Sequence, residues 1–145
     1  MHTIRQYILQ ETDYRGSHAA PTNDGYCSPL YDVTLNGTYP EDVYSHNAAR
    51  YYGDGFSYDN QSASIIQSLR GKPNAPVAIY RAIPAKDIEE MSINPGDWVS
   101  INKRYAINHG QRQFDKEYKI LSLTVRAKDV WTDGNSLHEQ GYDPS

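Results

Sequence analysis

YKILSLTV, residues 118–125, is the stretch that decides the fold. Its residues alternate, with Lys119, Leu121, Leu123 and Val125 on one side and Tyr118, Ile120, Ser122 and Thr124 on the other, which is the two-residue period of a β-strand. Upstream, Val77, Ile79 and Arg81 alternate with Ala78, Tyr80 and Ala82 until Pro84 ends the run, and Asp97–Ile101, entered through Pro95-Gly96, reads as a second short strand. Between these strands Asn102 can cap a helix carrying Tyr105, Ala106 and His109, with Gly110 as its stop. Downstream, Val130-Trp131 continues the β pattern, and Asp133-Gly134 turns the chain into NSLHEQGYD, a further strand candidate.

The N-terminal half reads differently. Residues 3–9 read as a short strand or an ordered lead-in, and Tyr14 to Gly37 is a turn-rich loop. Pro40, Glu41 and Asp42 form the first turn of a helix that runs to about Tyr52 and ends at Gly53 and Gly55. A second helix starts at Asp59 or Asn60, carries Ile65, Ile66 and Leu69 as an apolar stripe, and is closed by Gly71 and Pro73. Helices early and strands late, with no strand–helix–strand alternation, predict an α+β domain with a mixed or mostly antiparallel sheet. At 145 residues a single domain over 1–145 is expected.

Thirteen tyrosines against two phenylalanines predict a tyrosine-rich core with wet edges. A net charge of -4 argues against general nucleic-acid binding. Cys27 is the one cysteine, so no intrachain disulfide forms, and no Cys/His spacing resembles a zinc site. The opening MHTIRQYILQETDYRG holds no apolar run of signal-peptide length, and no later segment approaches a membrane span. The expectation is a cytoplasmic protein with no membrane partner and no metal.

Three positions stand out chemically. Arg81 lies inside the apolar run IYRAIP, where a guanidinium needs an anionic partner: either a structural carboxylate or a bound diphosphate suits its planar fork of donors. Glu139, in SLHEQGYD, is an ordinary surface glutamate unless it faces a pocket; there its carboxylate could hold a ribose hydroxyl and stabilise positive charge at an anomeric carbon. Ser100, in WVSIN, could orient that glutamate, or serve as a turn or cap residue. Tyr14-Arg15-Gly16-Ser17-His18 is a second polar cluster able to bind an anion or ribose, with a solvated loop as its plain alternative. His109 and His138 are isolated in sequence and read as surface or helix-end residues unless one cleft gathers them. No G-x-S-x-G, P-loop or G-x-G-x-x-G is present, and a Ser-His-Asp hydrolase finds no support.

IYRA around Arg81, DWVSIN around Ser100 and LHEQGY around Glu139, in that order, resemble the Arg-Ser-Glu class of mono-ADP-ribosyltransferases, and INKRYAINHG resembles the helix that follows the serine motif in that family. The resemblance covers roughly the C-terminal half. It implies the family's β core, with NAD as substrate, Arg81 on its diphosphate or ribose, Ser100 supporting the pocket and Glu139 essential for transfer. A second register is open: YRGSHAAP resembles the opening strand of the His-Tyr-Glu branch and VYSHNAARYYG its tyrosine-bearing segment. In that register Arg15, with Ser17 or His18, faces NAD, and Tyr44 or Tyr52 stacks on nicotinamide. Both registers share Glu139. The segments are also similar to phage-encoded proteins of this type, which implies a host protein as acceptor. A glycohydrolase using water, and a non-catalytic protein-binding inhibitor on the same fold, are the alternatives. The position two before Glu139, where the family reads its target, is Leu137, and leaves the acceptor's chemistry open.

Overall fold

The computed structural model describes residues 19–86 and 92–144. Their elements in chain order are β1 (Ser28–Pro29), α1 (Ala48–Tyr52), α2 (Asp59–Ser68), β2 (Pro76–Pro84), β3 (Trp98–Val99), α3 (Lys103–Phe114), β4 (Tyr118–Arg126), β5 (Val130–Thr132) and β6 (Gln140–Tyr142). β2 and β4 form a long antiparallel hairpin-like pair in which Val77 faces Val125 and Arg81 faces Leu121. The short strands form a second antiparallel sheet in the order β1-β5-β6-β3. One bridge joins the sheets: the Tyr80 N–H donates to the Ser100 carbonyl and the Ser100 N–H to the Tyr80 carbonyl, each at 2.8 Å. This is a small α+β architecture, and every pairing among the described residues is antiparallel.

The core lies where α2 and the loops around Leu30, Val33 and Val43 meet the inner residues Val77 and Ile79 of β2, Val99 and Val130 of the second sheet, and Leu137 in the segment before β6. β2 carries the expected alternation as far as Arg81, with Val77, Ile79 and Arg81 buried and Ala78 and Tyr80 half-buried, but loses it beyond, where Ala82 is buried as well. β4 departs from it: Leu121 and Val125 pack against the core, whereas Leu123 on the same side is exposed. Tyrosine contributes as anticipated, with Tyr39, Tyr58 and Tyr105 buried.

Two expected elements are corrected. The helix over 40–52 is two pieces, a 3-10 turn at Glu41–Tyr44 and α1, because Ser45 is extended and its hydroxyl donates to the Asp42 carbonyl at 2.7 Å. A side-chain bond of that kind offers the backbone an exit from the helix. α3 starts at its Asn102 cap, whose side chain accepts from the Arg104 N–H, but it runs through Gly110 to Phe114. Gly110 is a close-approach residue instead of a stop: a Cβ there would lie 2.6 Å from the Tyr118 ring. The placing of helices in the N-terminal half therefore holds for α1 and α2 and fails for α3, which sits among the strands. The proposed lead-in strand at 3–9 lies outside the described residues.

Two local features carry predictions. Gly141 pairs with Trp98 and Trp131 across its neighbours, and a Cβ on it would come 2.0 Å from the Pro21 carbonyl oxygen. Backbone cannot yield as a side chain does, so Gly141→Ala is expected to cost about 2 kcal/mol, within the range for overpacking. Thermal denaturation checks this, at about 2–4 °C of Tm per kcal/mol for a chain of this size.

The second concerns pH. Burial pushes the Cys27 thiol up from its ordinary 9.0 to about 11, and burial likewise pushes the Tyr39 phenol up. Both groups keep their protons in the folded state while the unfolded chain loses them, so stability is full below about pH 8.5 and falls as pH rises towards 11. The expected result is a Tm that declines between pH 9 and pH 11, less steeply in Cys27→Ala. At pH 8 only about one thiol in a thousand is ionised at such a pKa, so native Cys27 should react slowly with a disulfide reagent and quickly once unfolded.

Candidate active site

Strand register brings the three sequence motifs together. Tyr80 faces Ser100 across the bridge between the sheets, so Arg81, next along, lies beside Val99. Trp98 faces Gly141 and Val99 faces Gln140, the residue after Glu139. Arg81, Ser100 and Glu139 thus occupy neighbouring positions on three adjacent chain segments. All three line one cleft with Tyr80, Ala82, Trp98, Val99, Tyr105, Ala106 and His109. The cleft is shallow and opens to solvent.

Arg81 lines the cleft. It is 3% exposed, donates from Nη1 to the Trp98 carbonyl at 2.6 Å, and has Nε 4.0 Å from Asp97 Oδ2. A structural anchor therefore fixes the guanidinium on a wall of the cleft, and anchoring is what preorganises a cation for an anionic ligand.

Glu139 is half-buried and is held by α3, where the Tyr105 hydroxyl donates to its Oε2. The expectation that Ser100 orients this carboxylate is not met. The Ser100 hydroxyl closes a turn on Asn102, accepting from its N–H at 3.0 Å and donating to its carbonyl at 3.1 Å. Gln140 fixes the backbone around the glutamate: fully buried, it accepts from the Ile101 N–H at 3.0 Å and donates to the Leu137 carbonyl at 2.9 Å.

His138 is corrected from a surface residue to a fully buried one. Its Nδ1 lies 2.7 Å from Ser62 Oγ and its Nε2 2.7 Å from Asp59 Oδ1. Asn102 Nδ2 also donates to Ser62 Oγ at 3.0 Å, so the pattern assigns the serine proton to His138 Nδ1 and leaves Nε2–H to donate to Asp59. Asp59 in turn accepts from the Gly55 and Phe56 N–H groups at 2.8 and 3.1 Å. The connectivity Ser-His-Asp is that of a hydrolase triad. Ser62 has no exposed surface, however, so a substrate carbonyl has no path to its oxygen, and the chain of bonds acts as a buried tie between α2, the start of α3 and the glutamate segment.

The remaining expected site residues are not gathered here. Arg15, Ser17 and His18 lie outside the described residues. Tyr52 sits on α1, donates to Asp42 Oδ1 and packs edge-on against Tyr39, away from the cleft lining. Tyr44 is likewise apart, with its ring under the Arg70 guanidinium at 3.9 Å and its hydroxyl accepting from the Val33 N–H at 3.0 Å. Leu137 is wholly inside the core. His109 does enter the cleft wall.

No protein-family model, curated protein or solved structure matches the chain. Among the described residues no helix is long and apolar enough to cross a membrane, and no group of His, Cys, Asp and Glu is arranged to hold a metal.

Proposed function

We propose that this cleft binds NAD and that the protein is a mono-ADP-ribosyltransferase, splitting the nicotinamide–ribose bond and passing ADP-ribose to a protein. The observation that carries this reading is the convergence of Arg81, Ser100 and Glu139 on one concave site from three separated motifs. The residues suit the ligand. Arg81 supplies a fixed cation for a diphosphate or ribose oxygen, and Trp98 and Tyr105 are among the aromatic residues that line the cleft.

In the reaction Glu139 accepts a hydrogen bond from a ribose hydroxyl and faces the positive charge that develops at the anomeric carbon as the C–N bond lengthens. Nicotinamide departs with the bonding electron pair, the acceptor's nucleophile forms the new bond to that carbon, and the acceptor's proton passes to solvent. The burial of Arg81 and the apolar walls keep the local dielectric low, which strengthens both electrostatic contacts.

The test is incubation of the protein with NAD labelled in its adenylate half, in the presence of cell lysate. Label on a discrete set of proteins is the expected result. Free ADP-ribose without protein label would make the enzyme a glycohydrolase, and a folded protein that leaves NAD intact and does not bind it would favour a partner-binding role.

A further inference from the structure

We infer that Tyr105 is the positioning residue for Glu139, and that the buried His138 network holds Tyr105 in place. This rests on the NAD reading of the cleft. The hydroxyl of Tyr105 donates to Glu139 Oε2, while its ring is stacked on His138 with centroids 5.0 Å apart and planes 10° apart. The ring also has the His109 ring 6.3 Å away at 26°, and Phe56 meets it edge-on at 6.2 Å. A buried tyrosine packed against other rings keeps its hydroxyl in one direction at little further entropic cost, because packing already restricts its two χ angles.

That packing is itself anchored. His138 cannot turn without breaking its bonds to Asp59 and Ser62, both at 2.7 Å. Since His138 and Glu139 are consecutive, the same short segment supplies the carboxylate and the ring on which the carboxylate's partner stacks. His138 is fully buried while Glu139 lines the cleft, and Tyr105, from α3, touches both. The role that the sequence pattern suggests for Ser100 is filled here by a residue of the following helix, and Ser100 is left to shape the turn at Asn102.

A fixed carboxylate matters most when charge develops opposite it, so loss of the Tyr105 hydroxyl falls on kcat more than on KM. Tyr105→Phe keeps the ring and its stack on His138 and removes the bond to Glu139. The experiment has two arms. In the first, the carboxyl carbon resonance of Glu139 is compared between wild type and Tyr105→Phe by isotope-labelled NMR; a shifted resonance with the rest of the spectrum preserved is expected, and an unmoved one overturns the inference. In the second, nicotinamide release from NAD is measured: kcat is expected to fall by about tenfold to a hundredfold, the scale of one hydrogen bond to a charged group, with KM for NAD changed by less than about threefold. An active wild type whose kcat survives Tyr105→Phe, or whose loss lies in KM alone, overturns the positioning role and leaves the NAD reading standing. A wild type that binds no NAD and releases no nicotinamide overturns the NAD reading, and the catalytic role of Tyr105 falls with it.

Discussion

Glu139→Gln is expected to lower nicotinamide release from NAD by at least about a hundredfold while leaving NAD affinity and Tm close to wild type. The amide is nearly the same shape as the carboxylate, and its oxygen can still accept from the Tyr105 hydroxyl, so the clamp on α3 survives. What it lacks is the negative charge that faces the anomeric carbon in the transition state. Removing one preorganised electrostatic contact of this sort typically costs about 10²–10³ in kcat. Because the ground state carries little of that charge development, the loss should appear in kcat and in kcat/KM alike. Steady-state assays on both proteins, with a calorimetric NAD titration of the variant, check each part. A variant within about threefold of wild type in kcat would remove Glu139 from the chemistry.

The largest effect on stability is expected from His138→Ala. His138 is fully buried and bridges Asp59 and Ser62, and it contacts the rings of Phe56, Tyr58 and Tyr105. Truncation opens a cavity and strips the buried Asp59 carboxylate of its side-chain partner, although the Gly55 and Phe56 N–H groups still reach its other oxygen. A buried charge that loses one partner costs about 3–5 kcal/mol, and the retained backbone bonds argue for the lower end. About 3 kcal/mol corresponds to a fall in Tm of about 6–12 °C for a domain of this size. Chemical denaturation gives the same quantity independently. A loss under 1 kcal/mol would mean that the network does not tie α2 to the glutamate segment. Because Tyr105 stacks on the lost ring, the variant should also release nicotinamide more slowly at temperatures where it remains folded.

Much of this was legible in the sequence, and the limits have physical causes. The alternation through Val77, Ile79 and Arg81 placed the arginine on the buried side of a strand, because a two-residue period depends only on backbone geometry. Asn102 was readable as a cap for the same reason: its effect is local. The α+β class with a mixed or mostly antiparallel sheet followed from the order of the patterns, and the folded chain pairs antiparallel at every described pairing. What the pattern could not give was the partner of each polar group. Glu139 and Tyr105 are 34 residues apart and His138 and Ser62 are 76 apart, separations at which only the folded topology decides who meets whom. The one available signal was the run His138-Glu139-Gln140, three polar residues in a row where a strand was expected. One faces the cleft and the other two are fully buried with their hydrogen bonds satisfied inside. Gly110 misled because a glycine at a helix end and a glycine under an aromatic ring look alike in sequence; only the approach of Tyr118 tells them apart. The break at Ser45 was hidden because a serine that leaves a helix and a serine that tolerates one are the same residue.

The measurement that bears most directly on the cleft is the release of nicotinamide from NAD by the purified wild-type protein, with lysate supplied as a source of acceptor and Glu139→Gln as the paired control. Release above the spontaneous rate that is lost in the control is the expected result. A folded wild-type protein that shows no release with lysate present, and no heat of NAD binding, would contradict the assignment of the Arg81–Glu139 cleft to NAD chemistry.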